Sequence, residues 1–525
     1  MDPQAQTSAQ ANVGYTDAPQ HEQRLEPKLL DLLTEYKPGD DRAEATRPVD
    51  GFLSATTLAE QIRAYLGRDA SPAEVERLRR WVARDIATID DALNLQVNAI
   101  LHHPRFQTLE SAWRGLWYTV HQAEAGREQI EESGERGTIE VRVMNITKRD
   151  LIRDFERAPE FDQSLMFREV YEAEFGTAGG EPYGAVIANY EFTNHPDDID
   201  LLESMSGVAA SAFAPLLAGA GPDLVGLDDF SKLEQPLNLE ANFAQTRYVK
   251  WKALRDRPDS QFLGLTLPRI LMREPWRDDG SGSHGFRFTE EVDGPDKSNY
   301  LWGTSAWAFG GVLLRAYAST GWFADIRGAK RGSEEGGIVT DIPVHGFGTD
   351  SDGVAIKSCT DIALSDSDER ALGQLGFIPL SDCQDTPYSV FFSNQSVHEP
   401  RVYDDPVATA NAKISSMIQY VMCCARFAHY LKLLARNKVG TYQNPQELEN
   451  WLNTWLVDYV TGDDRARPEM KAQYPLREAA VQVKPIPAQP GNFRLTINLR
   501  PHYQLDQLAA SVRLVARVQS NTGMK

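Results

Sequence analysis

The residues Gly280-Ser281-Gly282-Ser283-His284-Gly285 spell GxGxxG, the glycine spacing that lets backbone N–H groups cradle a pyrophosphate at a strand-to-helix turn. That chemistry needs a strand before the glycines and a helix after them. Here Arg277-Asp278-Asp279 comes before, and Phe286-Arg287-Phe288 alternates like a strand after, so the stretch reads as a loop. Gly176-Thr177-Ala178-Gly179-Gly180 leads into a strand and lacks the Lys-Ser/Thr pair of a P-loop. His102-His103 could suggest a metal, but adjacent side chains diverge and no third ligand has matching spacing, so the pair reads as part of a linker. Cys359, Cys383, Cys423 and Cys424 show no metal-ligand spacing and fit buried thiols in a reducing compartment. There is no HExxH, no GxSxG and no carboxylate cluster of fixed spacing. Nothing in the chain commits to catalysis, a cofactor or a metal.

The elements around these stretches are those of a large globular chain. At 525 residues with 42% hydrophobic content, it can hold two or three domains with a sizeable core. A formal net charge of −21 argues against a nucleic-acid groove and against an anionic membrane surface. No signal peptide is visible, and the small-apolar run Val208–Gly221 contains Pro215 and is too short to span a bilayer, so the expected setting is cytoplasmic, without membrane insertion. Ser71-Pro72-Ala73-Glu74 is a capping box opening a long helix with Val75, Leu78, Val82, Ile86, Ile89, Leu93, Val97 and Ile100 in one stripe. His102-His103-Pro104 breaks it, and a second helix carries Phe106, Leu109, Trp113, Leu116, Trp117 and Val120, giving a helical hairpin. Strands are expected at Ile139–Val143, Tyr183–Tyr190, Phe262–Leu267, Ile338–Val344, Ala355–Leu364 and Tyr388–Phe392. Helices are expected at Lys148–Arg157, Asn299–Trp322, Pro406–Lys438 and Gln446–Val460, the third burying Ile414, Met417, Ile418, Val421, Met422, Ala425 and Ala428. The class is mixed α/β or α+β.

Both ends of the chain carry apolar faces without an evident local partner. Residues 1–24 are polar and expected to be disordered. Leu25, Leu29, Leu32, Leu33 and Tyr36 then form a helical stripe that Pro38-Gly39 ends. A lone amphipathic helix between polar segments is either a docking helix or one folded back on its own subunit. At the other end Phe493, Leu495, Ile497 and Leu499 alternate with Arg494, Thr496, Asn498 and Arg500. Val512, Leu514, Ala516 and Val518 repeat the pattern, as do Ala479, Val481 and Val483 more weakly, with turn chemistry at Gln489-Pro490-Gly491-Asn492. Three short strands need their face covered and their edges paired. Either another chain supplies this by strand addition, or the strands form a terminal meander on their own domain.

Several long blocks carry a resemblance: FQTLESAWRGLWYTV at 106–120, EFGTAGGEPYGAVIANYEF at 174–192, FLGLTLPRILMREPW at 262–276 and NYLWGTSAWAFGGVLLRAYASTGWFADIRG at 299–328. To these are added GFIPLSDC with FFSNQSVHEP at 376–400, RFAHYLKLLARNKVG at 426–440 and LRPHYQLDQLAASVRLVARV at 499–518. With them the chain resembles the large sheath subunit of the bacterial type VI secretion system (the TssC/VipB type), a relative of contractile phage tail sheaths. Trp276, Thr304-Ser305 and the long Gly280–Gly285 loop depart from the family pattern without touching any chemistry. The resemblance implies a contractile tail-sheath-like fold and no enzymatic activity. It implies pairing with a small sheath subunit (TssB/VipA type) and polymerisation with further copies around a tube of Hcp rings on a baseplate. It further implies disassembly of the contracted sheath by a ClpV-type AAA+ ATPase. On this reading residues 1–57 are a flexible segment with a docking helix at about 25–37, 58–136 a helical hairpin region, 137–400 the sheath core and outer domain, and 401–525 long helices with the inter-subunit strands. The stripe Leu25, Leu29, Leu32, Leu33 and Tyr36 becomes the unfoldase handle, and Phe493, Leu495, Ile497, Leu499, Val512, Leu514 and Val518 become linking positions. The alternatives are a nucleotide-binding enzyme using Gly280–Gly285, or a sheath-like protein of another contractile injection device.

Overall fold

Leu216–Ala220 and Leu263–Leu267 are short and apolar at nearly every position, a composition suited to strands covered on both faces. In the computed structural model every residue of both strands is buried. The structure describes residues 54–66, 72–133, 137–177, 179–235, 237–278, 286–292, 297–329, 335–347, 358–383, 386, 388–438, 445–463, 465–486, 493–502 and 512–518. The chain divides into two compact units, 1–108 with 275–300, and 109–274 with 301–525.

The first unit holds α1 (Leu58–Leu66), α2 (Pro72–Leu101) and the opening turn of α3 (Pro104–Ser133). Thr57 and Glu60 form a reciprocal capping box at α1, Glu60 N–H donating to Thr57 Oγ1 (3.3 Å) and Thr57 N–H to Glu60 Oε2 (3.1 Å). Helix α2 begins at Pro72, as the capping box predicts, but Ile86, Leu95 and Ile100 are exposed, so its expected stripe is not a fully buried face. Two amides one turn apart on α2 hold an extended segment. Asn94 Nδ2 donates to Arg287 O (3.1 Å), and Asn98 donates to Thr289 O (3.4 Å) and accepts from Glu291 N–H (2.9 Å). Phe286–Phe288, which alternates like a strand, therefore forms no ladder, and its Arg287 carbonyl is taken by a helix side chain.

The second unit is built on a six-stranded sheet in the order β1-β2-β3-β7-β8-β6. Its strands are β1 (Val186–Phe192), β2 (Leu216–Ala220), β3 (Leu263–Leu267), β6 (Ile338–Val339), β7 (Ile378–Asp382) and β8 (Ser389–Phe391). The pairs β1–β2, β2–β3 and β3–β7 are parallel, while β8 lies antiparallel to β7 and β6. Helix α4 (Lys148–Arg157) and α5 (Pro196–Ala212) join one core with β1–β3, in which Trp251 stacks on Phe377 at 5.5 Å. Helix α6 (Ala306–Thr320) packs in a second core with Leu217, Ile378, Leu380 and Phe391. The later helices are α7 (Asp366–Gln374), α8 (Pro406–Ser415), α9 (Ile418–Lys438) and α10 (Pro445–Val457). The class is mixed α and β, as the sequence predicts.

Several expected elements differ, each for a local reason. The helix expected at Asn299–Trp322 begins only at Ala306, because β5 (Trp302–Thr304) pairs antiparallel with β4 (Arg269–Leu271). The helix expected at Pro406–Lys438 is two. Ile418 N–H donates to Asn394 O (2.9 Å) instead of to its own helix, and the Ser416 carbonyl accepts from Ser396, so residues 394–396 divide α8 from α9. From Ile418 to Leu431 nearly every α9 side chain is buried, so the helix has no solvent side to set against the expected stripe. Ile139–Val143 forms no strand. Ile139 packs with Ala123, Ile130 and Ala318, and its carbonyl accepts from Arg127 Nε (2.7 Å). The strand expected at Ile338–Val344 stops at Val339, where Arg315 and Tyr118 take over the backbone, Arg315 bonding the Ile338 carbonyl and Tyr118 Oη the Thr340 carbonyl (3.2 Å). In Ala355–Leu364 residues 355–357 lie outside the described set, and Ser358 and Thr360 make only isolated bridges.

His429 is the buried titratable group of this core with the clearest consequence. Its Nε2–H donates to Ala212 O at 2.7 Å, its Nδ1 has no partner, and Phe175 and Phe213 flank the ring. Burial, with Arg426 and Lys432 nearby, lowers its pKa to about 3. The unfolded chain, with a histidine near ~6.5, binds the proton first, so this contribution is present above about 6.5 and is lost as pH falls toward 3. We expect His429→Leu to reduce the fall in stability between pH 6 and pH 4 by up to ~1.4 kcal/mol per pH unit, with a loss of ~1 kcal/mol at neutral pH from the missing hydrogen bond. Urea unfolding across that range measures it, and an unchanged slope would refute the assignment.

Candidate assembly interfaces

The C-terminal strands fold where their alternation places them. β9 (Leu476–Pro485), β10 (Phe493–Pro501) and β11 (Val512–Val518) form an antiparallel sheet with β10 in the middle. The register aligns the apolar sets: Leu495 opposes Val483 and Ala516, Ile497 opposes Val481 and Leu514, and Leu499 opposes Ala479 and Val512. Phe493 opposes Val518 and is half-buried, while Leu495, Ile497 and Leu499 are each 0% exposed. At about 1.5–3 kcal/mol per fully buried aliphatic side chain, these three anchor the sheet. The cover that the sequence leaves unassigned comes from this chain itself: Phe427, Leu431 and Ala435 of α9, with Leu448, Leu452 and Leu456 of α10.

The two edges of this sheet differ. At β9, Val481 N–H donates to Asn453 Oδ1 (2.8 Å), Asn453 Nδ2 donates back to Val481 O (2.9 Å), and Val483 N–H donates to Glu449 Oε2 (2.8 Å). Nearer the start of β9, Leu476 N–H donates to Tyr459 O (3.2 Å) and Thr461 N–H to Leu476 O (2.9 Å). The β9 edge is thus closed by α10 and the segment after it. On the other side β11 is the outermost strand, and no described strand pairs with its outer edge. The predicted turn at Gln489–Asn492 lies outside the described residues. β10 ends at Pro501 and β11 begins at Val512, leaving ten residues where a tight hairpin uses about 2–5.

A second surface runs along α3 and inverts the usual rule for a helix. Within the second unit α3 buries Ser111, Gly115, Tyr118, Thr119, Gln122, Ala123, Gly126 and Ile130. It exposes Leu109, Val120, Trp113 (64%) and Trp117 (65%). On the buried side, glycines stand where a neighbouring side chain presses against the helix. A Cβ on Gly115 would strike the Trp307 ring, one on Gly311 would strike Tyr118, and one on Gly126 would meet Ile139 at 2.8 Å. Glu110, beside the stripe, accepts from Arg114 Nε and Arg273 Nε, each at 2.8 Å. An exposed row of two tryptophans and two aliphatic residues is an apolar patch of the kind found at protein interfaces.

Comparison with known proteins decides the family to which the chain belongs. The VipB family model for the EvpB/VC_A0108 tail sheath N-terminal domain matches residues 83–398, and that for the EvpB/VC_A0108 tail sheath gpW/gp25-like domain matches 407–518. The chain belongs to the VipB tail sheath family. The type VI secretion system sheath protein TssC1 of Pseudomonas aeruginosa PAO1 is 38% identical to it over 493 residues, 93% of this chain and 94% of that protein. A chain in the cryo-EM structure of the anti-feeding prophage baseplate aligns over 74% of this chain and 81% of its own length at 10% identity, with a TM-score of 0.31, which does not establish a shared fold. As a member of this family the chain is a structural component of a type VI secretion sheath.

The other residues singled out in the sequence take their places around this sheath architecture. Leu25, Leu29, Leu32, Leu33 and Tyr36 lie outside the described residues, as does the Gly280–Gly285 loop. Gly176–Gly180 follows a π-helical turn. The Glu181 N–H beyond it donates to Glu174 Oε2 (2.8 Å), so a carboxylate holds the amide that a phosphate would use. His102 Nε2 sits 3.4 Å from Glu290, a carboxylate that sequence spacing does not reveal because it lies far along the chain. Among the described residues no group of three metal-ligating side chains assembles, and no helix is long and apolar enough to cross a membrane. Burial pushes the Cys359 and Cys423 thiols up to about 12, far from nucleophilic, and Cys359 Sγ donates to Ser389 Oγ (3.1 Å). Sequence reasoning missed Glu449 and Asn453, whose only signal is a polar i, i+4 pair beside the apolar Leu448-Leu452-Leu456 row.

The α3 geometry separates packing from docking. Gly115→Val should destabilise the chain by ~1–3 kcal/mol through overpacking against Trp307. Trp113→Ser and Trp117→Ser should change stability by no more than ~0.5 kcal/mol. Denaturant unfolding of the three variants checks this; a large loss at either tryptophan would assign the stripe to the subunit's own packing.

Proposed function

We propose that this sheath chain pairs with a small sheath subunit of the TssB/VipA type and polymerises into a helical sheath around a tube of Hcp rings, seated on a baseplate. Contraction of that sheath propels the tube, and a ClpV-type AAA+ ATPase then strips the contracted form. The observation that carries this reading is the C-terminal sheet, closed along β9 and with no described strand on the outer edge of β11, which suits main-chain linkage between subunits. Phe493, Leu495, Ile497 and Leu499 anchor the linking sheet, and Val512, Leu514 and Val518 occupy its outer strand. The tryptophan stripe of α3 supports a helix of the small partner laid into it, since Leu109, Trp113, Trp117 and Val120 recur at the three- and four-residue spacing such a helix reads. The chemistry is mechanical, and ATP is spent by the unfoldase. Contraction is a rigid-body change between two packings with the linking strands as tethers.

Deleting Asp506–Lys525 should abolish tubules seen by electron microscopy while leaving co-purification with the small partner intact; normal tubules from the deletion would refute strand linkage. The double change Trp113→Ser, Trp117→Ser should instead lower co-purification with the small partner at least tenfold. The helix stripe at Leu25, Leu29, Leu32, Leu33 and Tyr36 is assigned to the unfoldase. Leu29→Asp with Leu32→Ser and Leu33→Asp should leave assembly and contraction intact while contracted sheaths persist. Unchanged binding of that variant to the unfoldase would return the helix to its own subunit.

A further inference from the structure

Helices that lie beside a strand edge ordinarily leave its N–H and C=O groups to water or to another strand, and an unpaired edge invites further strands. The β9 edge is treated differently. We propose that Glu449 and Asn453 act as a strand surrogate that seals this edge and makes strand addition one-sided, so that copies of this chain link only through the β11 side of the sheet. The inference rests on the strand linkage proposed above and adds the residues that give it direction.

The geometry is that of a peptide replaced by side chains. A carboxamide presents one acceptor and two donors, and Asn453 uses Oδ1 to accept from Val481 N–H (2.8 Å) and Nδ2 to donate to Val481 O (2.9 Å), as a neighbouring strand residue would. One turn earlier, Glu449 accepts from Val483 N–H (2.8 Å). The spacing fits: four helical residues rise about 6 Å, and two strand residues advance about 6.8 Å. The surrogate is held in place from both sides. Asn453 Nδ2 also donates to Glu449 O (2.9 Å), and Leu448, Leu452 and Leu456 are buried on the neighbouring face, which fixes the rotation of α10. The same arrangement recurs in the first unit, where Asn94 and Asn98, again one turn apart, bond the extended segment 287–291.

A subunit with two open edges would add strands in both directions and branch or aggregate. One sealed edge leaves a single acceptor side per copy, and a head-to-tail lattice is complete when each copy also donates one strand to the acceptor side of the next. The test uses the full chain with its small partner. In Glu449→Leu with Asn453→Leu, hydrogen–deuterium exchange at Val481 and Val483 should accelerate at least tenfold, and electron microscopy should show laterally fused or branched tubules. Glu449→Gln keeps an oxygen acceptor and should behave as the unmodified chain in both measurements. Unchanged exchange in the double variant, or faster exchange with ordinary unbranched tubules, overturns the proposal. Should the double variant not fold, Asn453→Ser, which is too short to reach both Val481 groups, carries the same two readouts with the same deciding outcomes. The exchange measurement reads the seal itself. The Asp506–Lys525 deletion reads strand linkage, so failure of one is distinguishable from failure of the other.

Discussion

A helical stretch with nearly every side chain buried must be surrounded, and residues 418–431 of α9 are such a stretch. The residues of α9 enter three separate cores: Val421 and Ala425 pack with the α5 side of the central sheet, Ile418 and Met422 with α6 and β7, and Cys423, Cys424, Phe427, Leu431 and Ala435 with the C-terminal sheet. The central sheet and the C-terminal sheet are therefore two sides of one burial requirement. The polar residues that α9 does carry in this span are constrained accordingly. Gln419 is buried with its carboxamide oxygen unpartnered, and His429 is neutral against Ala212. Breaking the chain at Ser416-Met417 is what allows α9 to be enclosed, because residues 394–396 enter there and take the amide that would have continued α8.

With the C-terminal sheet covered on its inner face, its edges decide how it meets other molecules. A half-open sheet is a compromise between two hazards. Full exposure leads to promiscuous pairing, and full closure leaves nothing for a lattice to hold. Side chains of α10 close one edge, and no described strand pairs with the other. The α3 surface follows a related logic. Glycines 115 and 126 lie on the inside, where neighbouring side chains press close, while the two tryptophans remain outside.

What the sequence makes legible is alternation and periodicity where one rule dominates. Leu495, Ile497 and Leu499 lie buried in register as their spacing demands, and Lys148–Arg157 is a helix to the residue. It was less legible where tertiary contacts redirect backbone groups. Trp302-Gly303-Thr304 carries the composition of the helix that follows, yet pairs with Arg269–Leu271. Ile139–Val143 has strand composition but gives its carbonyl to Arg127. The orientation of α3 was hidden because Trp113 and Trp117 share the period of a core face, and only the glycines at 115 and 126 point to the opposite side. Glu449 and Asn453 were invisible for a different reason: a polar pair on a helix says nothing about a strand edge that arrives from residues 481–483. The family blocks made the sheath membership readable from sequence, while the edge contacts of Glu449 and Asn453 depended on geometry.

The close contact between α3 and α6 also bears on stiffness. Where two helices meet through long side chains, a displacement of one can be absorbed by changes of rotamer in the layer between them. At Gly115, Gly126 and Gly311 that layer is one side chain thick, and the Trp307 ring, the Ile139 methyl group and the Tyr118 ring rest almost on the backbone with little room to change rotamer. Close-packed contacts of this kind compress little and pass strain onward. A load applied to the tryptophans on the outer side of α3 would therefore reach α6, and through it Leu217 and Ile378 of the central sheet, with little slack along the way.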